Sequence, residues 1–226
     1  METSLHRDLK MLYGGNHPQF EVRLGTHRID VVSEGKLVEV QLGSLSAIRD
    51  KVRILLRDHP VVVVRPIVVR KTLIKLARKD GSIRSRRLSP KRGSVLDLFD
   101  QLVHFTRVFP HRNLTIETPL IEIEEYRYPG HGRRRRWRRD DYEVEDQKLV
   151  QVLKTYRLRL ASDLLRLIDV PLPQPFHTGH LAEALGVQRG LAQRIAYCLR
   201  HTGGACEVGK LCNTRLYQFV RPRIAG

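Results

Sequence analysis

The run HRIDVVSEGKLVEVQL at residues 27–42 holds two short segments rich in β-branched residues, separated by the turn-forming triplet Ser33-Glu34-Gly35. In its second arm Leu37, Glu39 and Gln41 fall on one side of the pleat and Val38, Val40 and Leu42 on the other. This predicts an antiparallel pair with polar groups on one face. The first arm carries an acid, Asp30, and the second a Glu-x-Gln pair, Glu39 and Gln41. Residues two apart on a strand point the same way, so such groups on neighbouring strands can converge.

Upstream, residues 19–24 read as a further strand. Leu5, Leu9 and Leu12 recur at helical spacing behind Thr3 or Ser4 until Gly14-Gly15 stops the pattern. Downstream, Ser44 can cap a helix whose stripe is Leu45, Ile48, Val52, Leu55 and Leu56, and His59-Pro60 ends it. The next run, 61–64, is four valines, as in a strand buried on both faces. The order is helix, three strands, helix, strand. A helix crossing between the third and fourth strands makes them parallel neighbours in an α/β layout.

Residues 65–92 carry eleven basic side chains and one acid, Asp80. Asp80-Gly81 predicts a hairpin turn between strands at 72–78 and 82–88, a basic arm. A helix over 94–108 and a strand over 114–126 follow. The run GHGRRRRWRRDD at 130–141 reads as a loop, and 144–168 as a helix ending before the prolines at 171, 173 and 175. Thr178 can cap a helix, Gly186 a turn, and residues 188–201 a longer helix with Leu191, Ile195 and Leu199 inward. Two strand-like pieces within 206–219 complete what a winged helix-turn-helix requires. The expected divisions are 1–70, 71–147 and 148–226.

The 226 residues hold 41 Lys plus Arg against 24 Asp plus Glu, a net charge of +17, with 41% apolar residues. Such a chain can build a core and concentrates polyanions, nucleic acid first and an anionic membrane surface second. Collagen-like, mucin-like and acidic solvating chains are excluded. No apolar run approaches a membrane span, and the charged start METSLHRDLK lacks an export segment, so a cytoplasmic location is expected. Cys198, Cys206 and Cys212 read as reduced thiols. With His201 they invite a zinc reading, but the paired C-x2-C knuckle is lacking.

Asp30 and Glu39 suit a hard cation. Mg²⁺ (or Mn²⁺) takes oxygen ligands and keeps several waters, so two carboxylates, a main-chain carbonyl and a phosphate are a sufficient set. Gln41 would orient rather than ionise, and His27 is the nearby candidate for proton transfer.

The first 68 or so residues resemble the PD-(D/E)XK nuclease fold, whose core runs helix, three strands, helix, strand. HRIDVV places the family's metal-binding acid at Asp30, and VEVQ the second acid at Glu39. Gln41 stands where most members have Lys, as in some restriction-type members. Glu2 matches the opening-helix Glu of members resembling Holliday-junction resolvases, and Lys51 on the following helix could swing in as a substitute cation, as in some relatives. The fold class implied is α/β, a restriction-endonuclease-like αβββαβ core with a basic α+β insertion.

Residues 149–221 resemble winged helix-turn-helix domains. Gln188, Arg189, Gln193 and Arg194 on the longer helix, with Lys210 and Arg215 on the wing, are residue types that reach base edges or phosphates. Arg133, Arg134, Arg135 and Arg136 can grip phosphates, and Trp137 can stack an unpaired base. The resemblance implies a Mg²⁺-dependent DNA endonuclease acting on duplex or branched DNA. A non-catalytic DNA-binding regulator with a degenerate nuclease scaffold stays open, as do an RNA-binding protein and a homodimer.

Overall fold

The computed structural model describes residues 3–130 and 141–220. Helix α1 (Ser4–Leu12) is capped by Thr3, whose side chain accepts from His6 N, and it leads into β1 (Gln19–Leu24), β2 (His27–Ser33) and β3 (Lys36–Val40). Glu34 and Gly35 turn the β2–β3 hairpin at positive φ, 50° and 71°. A 3-10 turn, Leu45–Ala47, capped by Ser44, opens α2 (Arg49–Leu55), and β4 (Val61–Val64) follows. The helix–three strands–helix–strand order matches the expectation, and β3 pairs β4 in parallel.

The segment read as a basic insertion extends the same sheet. Strand β5 (Ile67–Leu76) forms a hairpin with β6 (Ile83–Leu88), and α3 (Leu98–Leu102) precedes β7 (Leu114–Pro129). Strands β4 and β5 lie end to end along one edge of β7, both parallel to it, with Arg65-Pro66 as the joint. Helix α3 is shorter than expected, and single turns carry the chain on to Phe109.

The helix expected over 144–168 is not formed. Residues Tyr142–Leu158 make β8, antiparallel to β7 along its other edge, and only α4 (Ala161–Leu165) is helical. The apolar spacing of this stretch fits either period. The long open edge of β7 decides between them, because pairing there satisfies the backbone of β7 and buries Leu158. The boundary expected at 147/148 falls inside β8.

The eight-stranded mixed sheet is covered on both faces. Leu5 and Leu9 of α1 pack on Val31, Val38, Val40, Val64, Ile121 and Ile123. The other face takes Val52 and Leu55 of α2 and Phe99 of α3. The same cluster receives Ile195, Cys198 and Leu199 of α6 (Arg189–Thr202), which follows α5 (Thr178–Leu185) and precedes the hairpin β9 (Ala205–Leu211) and β10 (Thr214–Phe219). His177 rather than Thr178 caps α5, its Nδ1 accepting from Gly179 N and His180 N at 3.0 and 3.2 Å. Among the described residues, no helix is long and apolar enough to cross a membrane.

Candidate active site

The last described pair of the β2–β3 ladder on this side is Val31 with Val38, and there the strands part. Asp30 sits in the opening. Its Oδ2 accepts from Val40 N at 2.8 Å, supplying the bond the ladder no longer provides. Glu39 returns the favour from the opposite strand, its carboxylate accepting from the Asp30 backbone N–H. The two acids are thus held at one point by each other's strand, as the register of the hairpin predicts.

Glu39 is only 4% exposed. Its counter-charge comes from α2: Lys51 Nζ lies 2.6 Å from Oε1, an ion pair rather than an aligned hydrogen bond, while Nζ donates to Arg28 O. Burial pushes Glu39 up to about 7, against the lowering pull of Lys51. Asp30 goes the other way. Burial raises it, but hydrogen bonds from His6 and Val40 N–H, helped by the charges of His6 and Lys51, hold its carboxyl below the usual range. Two acids with divergent affinities for protons at one locus are the pattern of an acid–base centre.

His6 of α1 is the residue that the sequence reading missed. Its Nε2 lies 3.0 Å from Val40 O and 3.5 Å from Asp30 Oδ2. A carbonyl only accepts, so Nε2 carries a proton in this arrangement. The partner is 34 positions away, and on a helix with an ordinary apolar stripe nothing marks a single His. His27 forms no such contact with Asp30.

Gln41 is not turned toward the acids. Its Nε2 donates to Ser44 O at 2.8 Å and shapes the loop that opens α2. Glu2 lies outside the described residues, as do Arg133, Arg134, Arg135, Arg136 and Trp137.

Among the described residues, no group of three or more His, Cys, Asp or Glu side chains is arranged to hold a metal. The donor chemistry of the opening nevertheless fits a hard dication. Asp30, the buried Glu39 and Val40 C=O are oxygen donors, and a buried carboxylate raised by desolvation gains from a cation beside it. Cys198, in contrast, is buried with its thiol pushed up to about 12, and Cys206 and Cys212 are exposed.

On α6, Gln188, Arg189 and Gln193 are exposed at or near the helix start. Arg194 is committed elsewhere, with Nε 2.5 Å from Asp100 Oδ1. Lys210 and Arg215 face each other across the β9–β10 hairpin, and Arg215 Nη1 lies 3.6 Å from Glu207. Lys36, Arg112, Arg157 and Arg159 line a cleft of about 360 Å³ at the amino ends of β3 and β4. Lys75, Arg84, Arg87, Tyr128 and Tyr142 line another of about 320 Å³ between the β5–β6 and β7–β8 hairpins.

These features define a mixed α/β protein with two coupled acids where strands diverge and two clefts rich in basic side chains elsewhere on the sheet. The chain belongs to the family described as a domain of unknown function, DUF8091, which matches residues 3–159, from the cap of α1 to one residue past β8. An uncharacterized protein of Treponema pallidum (strain Nichols) is 32% identical over 223 residues, spanning 98% of this chain and 86% of the relative, so that likeness continues through α4–β10. No solved structure matches the chain.

Proposed function

We propose that the protein is a metal-dependent endonuclease of the PD-(D/E)XK type that hydrolyses DNA phosphodiester bonds, with α5, α6 and the β9–β10 hairpin serving as a winged helix that docks duplex or branched DNA. The observation that carries the reading is the meeting of Asp30 and Glu39 in the β2–β3 opening with Lys51 2.6 Å from Glu39. Asp30, Glu39 and Val40 C=O would hold Mg²⁺ or Mn²⁺. When bound, such an ion supplies Lewis-acid stabilisation of the phosphate and a water of lowered pKa.

The protein's own groups do the rest. Asp30 stays ionised, because its hydrogen bonds offset its burial. Glu39 holds or releases a proton near neutrality. Lys51 fills the place that Gln41 leaves without charge, and His6 presents a proton at Asp30 and Val40 O. The net charge of +17 brings the polyanion to the surface.

The test is nicking of a supercoiled plasmid with Mg²⁺ or Mn²⁺ against chelator. Asp30→Asn keeps an acceptor for Val40 N–H and is expected to lose on the order of 100-fold in nicking, with duplex binding in EDTA unchanged. Undiminished nicking in Asp30→Asn sinks the assignment. One observation favours the alternative of a non-catalytic DNA-binding protein: Gln41 is engaged by Ser44 O, and the acids already have Lys51 and His6 as cationic neighbours. A wild type that binds duplex DNA but does not nick under any divalent ion decides for that reading.

A further inference from the structure

Arg65 follows β4 directly, at the joint with β5. Its Nη1 donates to Pro66 O at 2.9 Å and to Gln41 O at 3.4 Å, and its Nε is buried with no hydrogen-bond partner. Among the described residues, no carboxylate lies within ion-pair distance of it. Asp97 borders the same cavity of about 240 Å³, but its Oδ2 is taken by Ser94 N at 2.8 Å in a capping box. Burial weakens the hold of Arg65 on its proton, with no acid opposing the effect. A guanidinium nevertheless stays charged in proteins. A half-buried cation neutralised only by carbonyls is an incomplete arrangement, because desolvating a charge is costly unless a counter-ion joins it.

The place of this charge says what completes it. Glu39 registers with Val63, and Gln41 N donates to Val64 O, so Arg65 stands beside Gln41 and two residues beyond the neighbour of Glu39. Two residues along a strand are about 7 Å. Val63 and Leu37 share one core cluster, so alternation puts Glu39 and Arg65 on that same face of the sheet. Both lie at the carboxyl ends of parallel strands, where ligands of open α/β sheets bind. At its wall Gly93 closes on the β5 backbone, its N donating to Val68 O at 3.2 Å where an added Cβ would stand 2.4 Å away. Its other walls include Leu42, Pro66 and Gln101.

We propose that the Arg65 guanidinium is a phosphate seat, which grips a backbone phosphate of the nucleic acid at the carboxyl ends of β3 and β4, next to the Asp30–Glu39 opening. The seat deepens the nuclease reading and rests on it for the identity of the phosphate carrier. Arg65 positions substrate and takes no proton. The planar fork of Arg suits bidentate phosphate contact, which a lysine does not reproduce.

The experiment measures thermal unfolding in inorganic phosphate against chloride at matched ionic strength, and duplex DNA affinity in EDTA, for the wild type, Arg65→Met and Arg65→Lys. Without phosphate, Arg65→Met is expected to melt about 2–4 °C higher, because an uncompensated buried charge is gone. Phosphate is expected to raise the melting temperature of the wild type and not of Arg65→Met, and duplex affinity is expected to fall about tenfold. If Arg65→Met does not fold, Arg65→Lys carries the test, keeping the charge and losing the phosphate shift. Equal phosphate shifts in all three proteins, or a lower melting temperature with unchanged duplex affinity, overturn the seat and leave Arg65 as a tie to the Gln41 loop. A phosphate shift that depends on Arg65 in a wild type that never nicks DNA removes the nuclease reading and keeps the seat. Nicking by a wild type without that shift does the reverse.

Discussion

The ammonium of Lys51, on a helix that begins nine residues after β3 ends, lies 2.6 Å from the carboxylate of Glu39, so α2 supplies the cation that the strand itself, with Gln41, does not. Replacing Lys51 with Met leaves Glu39 buried without its counter-charge. The Glu39 proton is then held still more tightly, and nicking is expected to need a higher pH in Lys51→Met than in the wild type. Lys51→Arg restores the charge and is expected to return the onset toward the wild-type value. A pH–rate profile for the three proteins checks this, and coincident profiles exclude Lys51 from the site.

Glu39 is expected to make stability and nicking run in opposite directions with pH. Its value in the fold, about 7, lies above that of an unfolded Glu, so the folded state binds more protons between about 4.3 and 7. The contribution is therefore fully present below the unfolded value and is lost as pH rises through about 7. The loss is on the order of 3 kcal/mol. Glu39→Gln removes this dependence and is expected to flatten the fall in melting temperature between pH 5 and 8. Cation binding needs the ionised carboxylate, so nicking is expected to rise over the same interval. Unfolding curves of both proteins across that range settle the sign.

The β2–β3 hairpin is legible because its second arm alternates cleanly and a Ser-Glu-Gly turn separates two runs rich in β-branched residues. The two acids stood out because they interrupt runs of β-branched residues. Lys51 is named by the family resemblance and not by helix phase, and nothing local names His6, since its partner Val40 is fixed by how α1 lies across the sheet. The turn of Gln41 toward Ser44 is set by a loop bond local to 41–44, which strand alternation cannot register. Strand β8 departs from the expected helix for a general reason. Leu149, Val150, Val152 and Leu153 are spaced in a way that both periods accommodate, and the partner that decides, β7, is distant in sequence, with Ile116 pairing Leu158.

Charge on the surface of α6 divides into free and committed groups. Arg189 is exposed without an acid partner among the described residues, whereas Arg194 is drawn to Asp100 at 2.5 Å. Arg189→Ala is expected to weaken duplex binding and to lower the slope of log affinity against log salt by about 0.9. Arg194→Ala is expected to leave that slope unchanged and to cost stability by about 1 kcal/mol or less, as exposed pairs do. The same salt titration on Arg112→Ala and Arg159→Ala asks whether the cleft at the amino ends of β3 and β4 also meets phosphate. Equal slopes for Arg189→Ala and the wild type dismiss α6 as a docking helix.

The DUF8091 match ends at residue 159, yet the core does not. Phe99, Leu102 and Phe105 share one buried cluster with Ile195, Ala196, Cys198 and Leu199, and Cys198 Sγ donates to Phe99 O at 3.7 Å. Cutting the chain after Arg159 would bare the α3 side of the sheet, where each fully buried Phe or Leu contributes about 1.5–3 kcal/mol. A chain of residues 1–159 is therefore expected to aggregate or to bind an apolar dye, and to melt well below the full protein. Ala196→Glu in the full chain drives a charge into the same seam and is expected to cost several kcal/mol. A 1–159 chain that is monomeric, dye-free and as stable as the whole would show that α6 merely rests on the sheet, and that the family region folds without it.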